Sequence, residues 1–146
     1  MPTAPFPHVY VVSLANGELG APPRSPVKAG APPQFGGSDQ VWSPEELLVG
    51  AALLCLQTTF TAYAKRAGLE VHAWRGTGTG TLVKATGGPV FSAIDLDVEL
   101  ATDPADEPRA RQALDEAERA CIVSRALSVP VHVSCSFATP SARAAG

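Results

Sequence analysis

The clearest regularity along the chain is an alternation: Ile94, Leu96, Val98 and Leu100 are apolar, and Asp95, Asp97 and Glu99 between them are charged. A period of two puts the sets on opposite faces of one strand, half-buried in an antiparallel sheet, and predicts a strand over residues 90–100. The same period recurs at Val131, Val133, Cys135 and Phe137 and predicts a strand over residues 129–137. Residues 71–83, with Thr and Gly alternating from Thr77 to Thr81, predict another, joined to 90–100 through a turn at Gly87-Gly88-Pro89. A short apolar run, Val9-Tyr10-Val11-Val12-Ser13-Leu14, bounded by Asn16-Gly17, reads as one more strand.

Two segments follow a helical period instead. Ser43 as N-cap, Pro44 at the first helical position and Glu46 three residues after the cap form a capping box. The helix they open runs to a stop at Gly68, after Lys65 and Arg66. From Leu47 to Leu56 it is apolar on every side, the mark of a helix surrounded by protein. Gly50, Ala51 and Ala52 allow close approach of a neighbour, and a helix this long and apolar is larger than one small sheet would cover, which points to a subunit interface. In the second helix, opened by Asp103 and the prolines at 104 and 108, Ala110, Leu114, Ala117 and Cys121 share one face opposite Arg111, Asp115 and Glu118. Strand, long helix, two strands, helix, strand is an α+β order, not a doubly wound one.

Composition narrows the picture. At 146 residues the chain is expected to form a single domain, 1–146, with loose ends at 1–7 and 138–146. Nine of its fourteen prolines fall in the first 44 residues, which excludes helix there and makes residues 24–37 an extended edge strand and loop. A net charge of −3 argues against nucleic acid or an anionic membrane as a partner. The apolar run 47–56 falls short of the ~20 residues of a membrane span, and the first residues lack the basic and apolar regions of a signal peptide. Three cysteines cannot all pair within one chain. A soluble, cytoplasmic protein with reduced thiols is the expectation.

The thiols carry the candidate chemistry. Cys55 lies in the apolar helix and Cys121 at the end of the second helix's apolar stripe, both on buried faces, with Arg125 one turn beyond Cys121. Taken alone, each reads as a core thiol. Taken together, two thiols carried by facing helices suit a peroxide reaction, in which one is oxidised to sulfenic acid and the other resolves it as a disulfide. Cys135, on the inner side of a strand, reads as a core residue. His8, His72 and His132 lack zinc-ligand spacing, and no metal site is expected. Gly76, Gly78 and Gly80 lack the spacing of a phosphate or dinucleotide loop and read as plain strand. Glu45 and Glu46 complement the helix dipole, but Glu45 does not serve the capping box.

Phe35-Gly36-Gly37, Trp42-Ser43-Pro44-Glu45-Glu46-Leu47-Leu48 and the alanine-rich run to Cys55 resemble the first signature of the OsmC/Ohr family, the osmotically inducible protein C and organic hydroperoxide resistance proteins. The stretch Arg119-Ala120-Cys121-Ile122-Val123-Ser124-Arg125 is similar to the second. The resemblance spans roughly residues 8–137. It implies an OsmC-like fold: an intertwined α+β homodimer with a long buried central helix and active sites at the interface. It implies thiol-dependent reduction of organic hydroperoxides, Cys55 matching the peroxidatic thiolate, Cys121 the resolving thiol and Glu45 a glutamate that orients an arginine. A lipoyl-type dithiol would regenerate the pair, with no metal, haem or flavin cofactor.

Two positions depart from the family pattern. Ile122 replaces the usual proline after the second cysteine, which would let the helix continue through Ser124. Residues 9–20 hold no arginine or lysine, and Arg24 is the nearest candidate for the activating cation. That gap motivates an alternative, a catalytically altered relative that binds an apolar small molecule at the dimer interface.

Overall fold

The computed structural model describes residues 5–138, and contacts divide the chain into two compact units, Met1–Leu47 and Leu48–Gly146. In the N-terminal unit, β1 (Ser13–Ala15), β2 (Glu18–Gly20) and β3 (Val27–Lys28) form a three-stranded sheet in that order, antiparallel throughout. Asn16 and Gly17 both take positive φ and make the β1–β2 turn that their sequence signals. The expected strand at residues 9–14 is shorter than its apolar run. Pro22 and Pro23 follow close on β2 and offer no N–H to a ladder, so no strand among the described residues pairs with Val9, Tyr10, Val11 and Val12, which stay exposed. The extended segment 24–37 likewise contributes β3, an isolated bridge from Ala29 to Trp42 and a single 3-10 turn, Pro33–Phe35.

The long helix, α1 (Pro44–Arg66), begins as its capping box predicts. The Glu46 N–H donates to Ser43 Oγ at 3.1 Å, and the Ser43 N–H donates to the Glu46 carboxylate at 3.3 Å. It ends at Gly68, φ +67°, where the N–H of Gly68 bonds Lys65 O and that of Leu69 bonds Ala64 O. This paired closure needs a left-handed residue, which glycine supplies without a Cβ penalty. By length and composition α1 is apolar enough to cross a bilayer, longer than its densest run suggested. In this fold it is a core helix on one face: Ala52, Leu56, Phe60 and Ala64, at every fourth position, are buried. The opposite side is not, and Leu54 is 62% exposed.

The C-terminal unit holds β4 (Val71–Ala85), β5 (Gly88–Thr102), α2 (Glu107–Ala120), α3 (Ile122–Ala126) and β6 (Val131–Phe137). The alternation in β5 sorts as predicted: Ile94, Leu96, Val98 and Leu100 are buried together with α1's face and with Ala110, Ala113, Leu114 and Ala117 of α2. Burying each large side chain of this kind is worth about 1.5–3 kcal/mol. Gly76, Gly78 and Gly80 turn toward α1. A Cβ at these positions would stand 2.6–2.8 Å from Leu53, Val49 or the Trp74 ring, so the Thr-Gly repeat is what lets α1 lie close on the sheet. Arg109 donates to Ala67 O just past α1 and pairs with Asp106, tying the start of α2 to the end of α1.

The expectation of an antiparallel sheet is met at β4–β5 and fails at β6, which runs parallel to β5 from Ile94↔Val131 to Leu100↔Phe137. The reason is topological. After β5 the chain returns along the sheet through α2 and α3, and a crossover of that length delivers the next strand in the same direction. A period of two reports which face is buried and is blind to strand direction. Of the expected loose ends, residues 1–4 and 139–146 lie outside the described residues; Pro5, Phe6 and Pro7 are exposed, and the Ala138 N–H is still bonded to Leu100 O.

Candidate functional site

Cys55 lies on the flank of α1, and Cys121 occupies the joint between α2 and α3. That joint is a break rather than the continuous helix expected from Ile122. Cys121 has φ −62° and ψ 113°, an extended conformation, so it ends α2 and caps α3. Ile122 removes the proline but does not restore the helix: Cys121, 1% exposed, keeps its extended backbone between α2 and α3. The break turns the first N–H groups of α3 outward from the helix, where no carbonyl of the preceding turn uses them.

These groups converge on the Cys55 sulfur. Burial pushes the Cys55 thiol up. The N–H of Val123, the Cys121 thiol, the Thr59 hydroxyl and the N–H of Ile122 oppose it by hydrogen bonding, and the net direction is below an ordinary thiol. Hydrogen bonds to the charged form are one of the three ways to stabilise a thiolate. Cys121 moves the other way. Burial raises it, Ser124 opposes through its hydroxyl and its N–H, and the bond to Cys55 and the charge there raise it further. The pair therefore divides its protons unequally, with Cys55 the readier thiolate and Cys121 the thiol that keeps its proton. Both thiols are free. Cys135 is separate: burial raises it, with Arg111 opposing and Asp115 and Glu107 adding to the rise, as befits an inert strand thiol.

The other two candidates lie in the N-terminal unit. Glu45 is in the first turn of α1, about 15 Å along the axis from Cys55 at 1.5 Å per residue, and its Oε2 is buried with no hydrogen-bond partner among the described residues. Arg24 closes a turn through its N–H to Ala21 O, and its side chain is exposed. The structure thus brings Cys55 and Cys121 together and keeps Glu45 a helix half-length away. No arginine or lysine is among the groups that shift Cys55, and Arg125, on α3, is exposed. Among the described residues no cluster of three or more His, Cys, Asp or Glu is placed to hold a metal.

Sequence reasoning missed Thr59 and Val123, and read Ile122 only as a continuation of the helix. Thr59 was open to discovery, since an i,i+4 partner of a reactive cysteine stacks beside it on a helix. The two α3 residues act through backbone N–H groups, for which side-chain identity gives no signal.

Set beside known proteins, the chain's residues 37–136 match the family of OsmC-like proteins, a span that contains both cysteine blocks. The chain belongs to the OsmC family. Solved OsmC structures share its fold. One is an OsmC-like protein of Mycoplasma pneumoniae, at TM-score 0.77 and 14% identity over 92% of this chain and 100% of that one. Another is an OsmC-like protein of Vibrio cholerae, at TM-score 0.74 and 16% identity over 82% of each chain. A third, from the same organism, is a putative organic hydroperoxide resistance protein with captopril in one active site, at TM-score 0.70 and 22% identity over 90% of this chain and 93% of that one. No curated protein matches the sequence.

Proposed function

We propose that this OsmC-family chain is a thiol-dependent peroxidase for organic hydroperoxides, with Cys55 as the attacking thiolate and Cys121 as the resolving thiol. What supports the reading is the unequal pair: the Cys121 thiol acts on Cys55 from the α2–α3 joint, and the two are shifted in opposite directions, Cys55 lowered and Cys121 raised. Relatives of the same fold that are named for organic hydroperoxide resistance, in Legionella pneumophila and Bacillus subtilis, agree with it.

The Cys55 thiolate attacks the outer oxygen of the hydroperoxide. The S–O bond forms as the O–O bond breaks, and the alkoxide takes up a proton and leaves as the alcohol. Cys55 is then a sulfenic acid, oxidised by two electrons. Cys121, beside it, loses its proton and attacks that sulfur; the disulfide forms and the hydroxyl leaves as water. A dithiol of lipoyl type reduces the disulfide by exchange, becoming a disulfide itself and returning both protein thiols. Glu45, its buried Oε2 unpartnered among the described residues, and Arg24 are the proposed positioning pair, and a homodimer is the proposed assembly. The exposed Leu54 side of α1 is what a second copy would cover. The proposed compartment is the cytoplasm.

The test is peroxide consumption by the reduced protein with cumene hydroperoxide and dihydrolipoamide. Wild type should turn over and Cys55→Ser should not. Cys121→Ser should reduce about one equivalent and then stall, with Cys55 passing to sulfinic acid. Equal and negligible rates in wild type and Cys55→Ser would end the reading. The alternative, an altered relative that binds an apolar small molecule, draws on the lack of a cation among the groups acting on Cys55. A Cys55 that titrates at or above about 8.5 would favour it.

A further inference from the structure

We infer that the Thr59 hydroxyl is a catalytic group of this site, donating a hydrogen bond to the Cys55 thiolate and holding it ready for attack. The inference deepens the peroxidase reading and rests on it.

The argument comes from how three threonines on the same stretch of α1 use their hydroxyls. A threonine inside a helix ordinarily turns its Oγ1 back to the carbonyl three or four residues earlier, and its χ1 divides between wells accordingly. Thr58 does so, donating to Cys55 O at 3.1 Å, and Thr61 does so, donating to Gln57 O at 2.9 Å. Thr59 does not. Its Oγ1 lies 4.0 Å from Cys55 Sγ, at the outer reach of a sulfur hydrogen bond, and no carbonyl takes its proton among the described residues. Thr59 is also half-buried, while Thr58 and Thr61 are exposed, so its hydroxyl is the one of the three best shielded from competing water.

A thiolate has no proton to give, so once Cys55 ionises the hydroxyl must be the donor. The sulfur then receives Thr59 from its own helix and Cys121, Ile122 and Val123 from the α2–α3 joint. Thr59 differs from Cys121 in one chemical respect. Cys121 loses its proton when it resolves the sulfenic acid, whereas the hydroxyl is unchanged through the cycle and is in place when the thiolate re-forms.

The test is the pH profile of alkylation of the reduced full chain by iodoacetamide, with each thiol quantified by peptide mass spectrometry so that Cys55 is read apart from Cys121 and Cys135. Thr59→Val removes the hydroxyl and keeps the branched shape, Thr59→Ala removes it without that shape, and Thr59→Ser keeps it. Both hydroxyl-free variants should move the Cys55 midpoint up by about 0.5–1 pH unit, which is about 3–10-fold slower alkylation below the midpoint, with the high-pH plateau unchanged. Thr59→Ser should restore the wild-type midpoint. A wild-type midpoint in both hydroxyl-free variants would overturn the inference, and so would a midpoint for Thr59→Ser as high as theirs. A wild type that consumes no peroxide while the midpoints move as expected would end the peroxidase reading and leave the Thr59–Cys55 bond standing. Turnover with unmoved midpoints would end the inference alone.

Discussion

One methyl group tests how closely α1 is seated on the sheet. In Gly78→Ala the new Cβ would stand 2.7 Å from Val49 Cγ1 and 3.3 Å from Leu96 Cδ2. Carbon atoms rest at about 3.5–4.0 Å, so the first contact is short by about 1 Å. Val49 is β-branched and in a helix strongly prefers one rotamer, so either it leaves that rotamer or α1 lifts. Overpacking of this kind costs about 1–3 kcal/mol, and replacing a strand glycine returns about 0.5–1 kcal/mol. The expected net loss is about 1–2 kcal/mol, seen as a fall in Tm of about 3–8 °C for a chain of this size. The decisive assay is a double-mutant cycle by denaturant unfolding with Val49→Ala, which removes the Cγ1 that is struck first. In that background Gly78→Ala should cost little, giving a favourable coupling of about 1–2 kcal/mol between sites in contact. Gly78→Ala melting at or above wild type, or losing the same amount in both backgrounds, would refute the reasoning that the Thr-Gly repeat exists for helix approach.

Three further outcomes are expected. Ile122→Pro deletes one N–H aimed at the Cys55 sulfur and should raise its alkylation midpoint, slowing the reaction at neutral pH several-fold; Ile122→Ala keeps the N–H and, since Ile122 is 75% exposed, should match wild type. The directions of the two thiols set a pH order: losing a proton creates the nucleophile, so Cys55 should gain reactivity with rising pH and level off below the ordinary thiol value, and Cys121 should follow only above it. Alkylation of Cys121 ahead of Cys55 would reverse the assigned roles. Ser43→Ala removes the acceptor for the Glu46 N–H at a position 2% exposed and should lower stability by about 1 kcal/mol, read by denaturant unfolding against Ser25→Ala at an exposed loop position.

What the sequence disclosed followed from what its signals encode. The β5 alternation, the capping box at Ser43 and the stop at Gly68 are local chemistry, and each appears in the fold where its residues require it. Strand direction at β6 is not local, because it depends on where the connection delivers the chain, and the inward set Val131, Val133, Cys135 and Phe137 reads the same in either direction. The apolar run at residues 9–14 promised a longer strand than β1 because apolarity registers the capacity to pair and not the presence of a partner. The site divides along the same line. Cys55 and Cys121 were legible because thiols are rare and chemically marked. What surrounds the Cys55 sulfur was not, since two of its donors are backbone N–H groups freed by the extended turn at Cys121, and any residue but proline carries such a group. Position 122 is therefore a case in which sequence reasoning looked at the right residue for the wrong property. The departure from proline bears on the thiolate through the N–H that isoleucine retains, and not through the continuation of a helix.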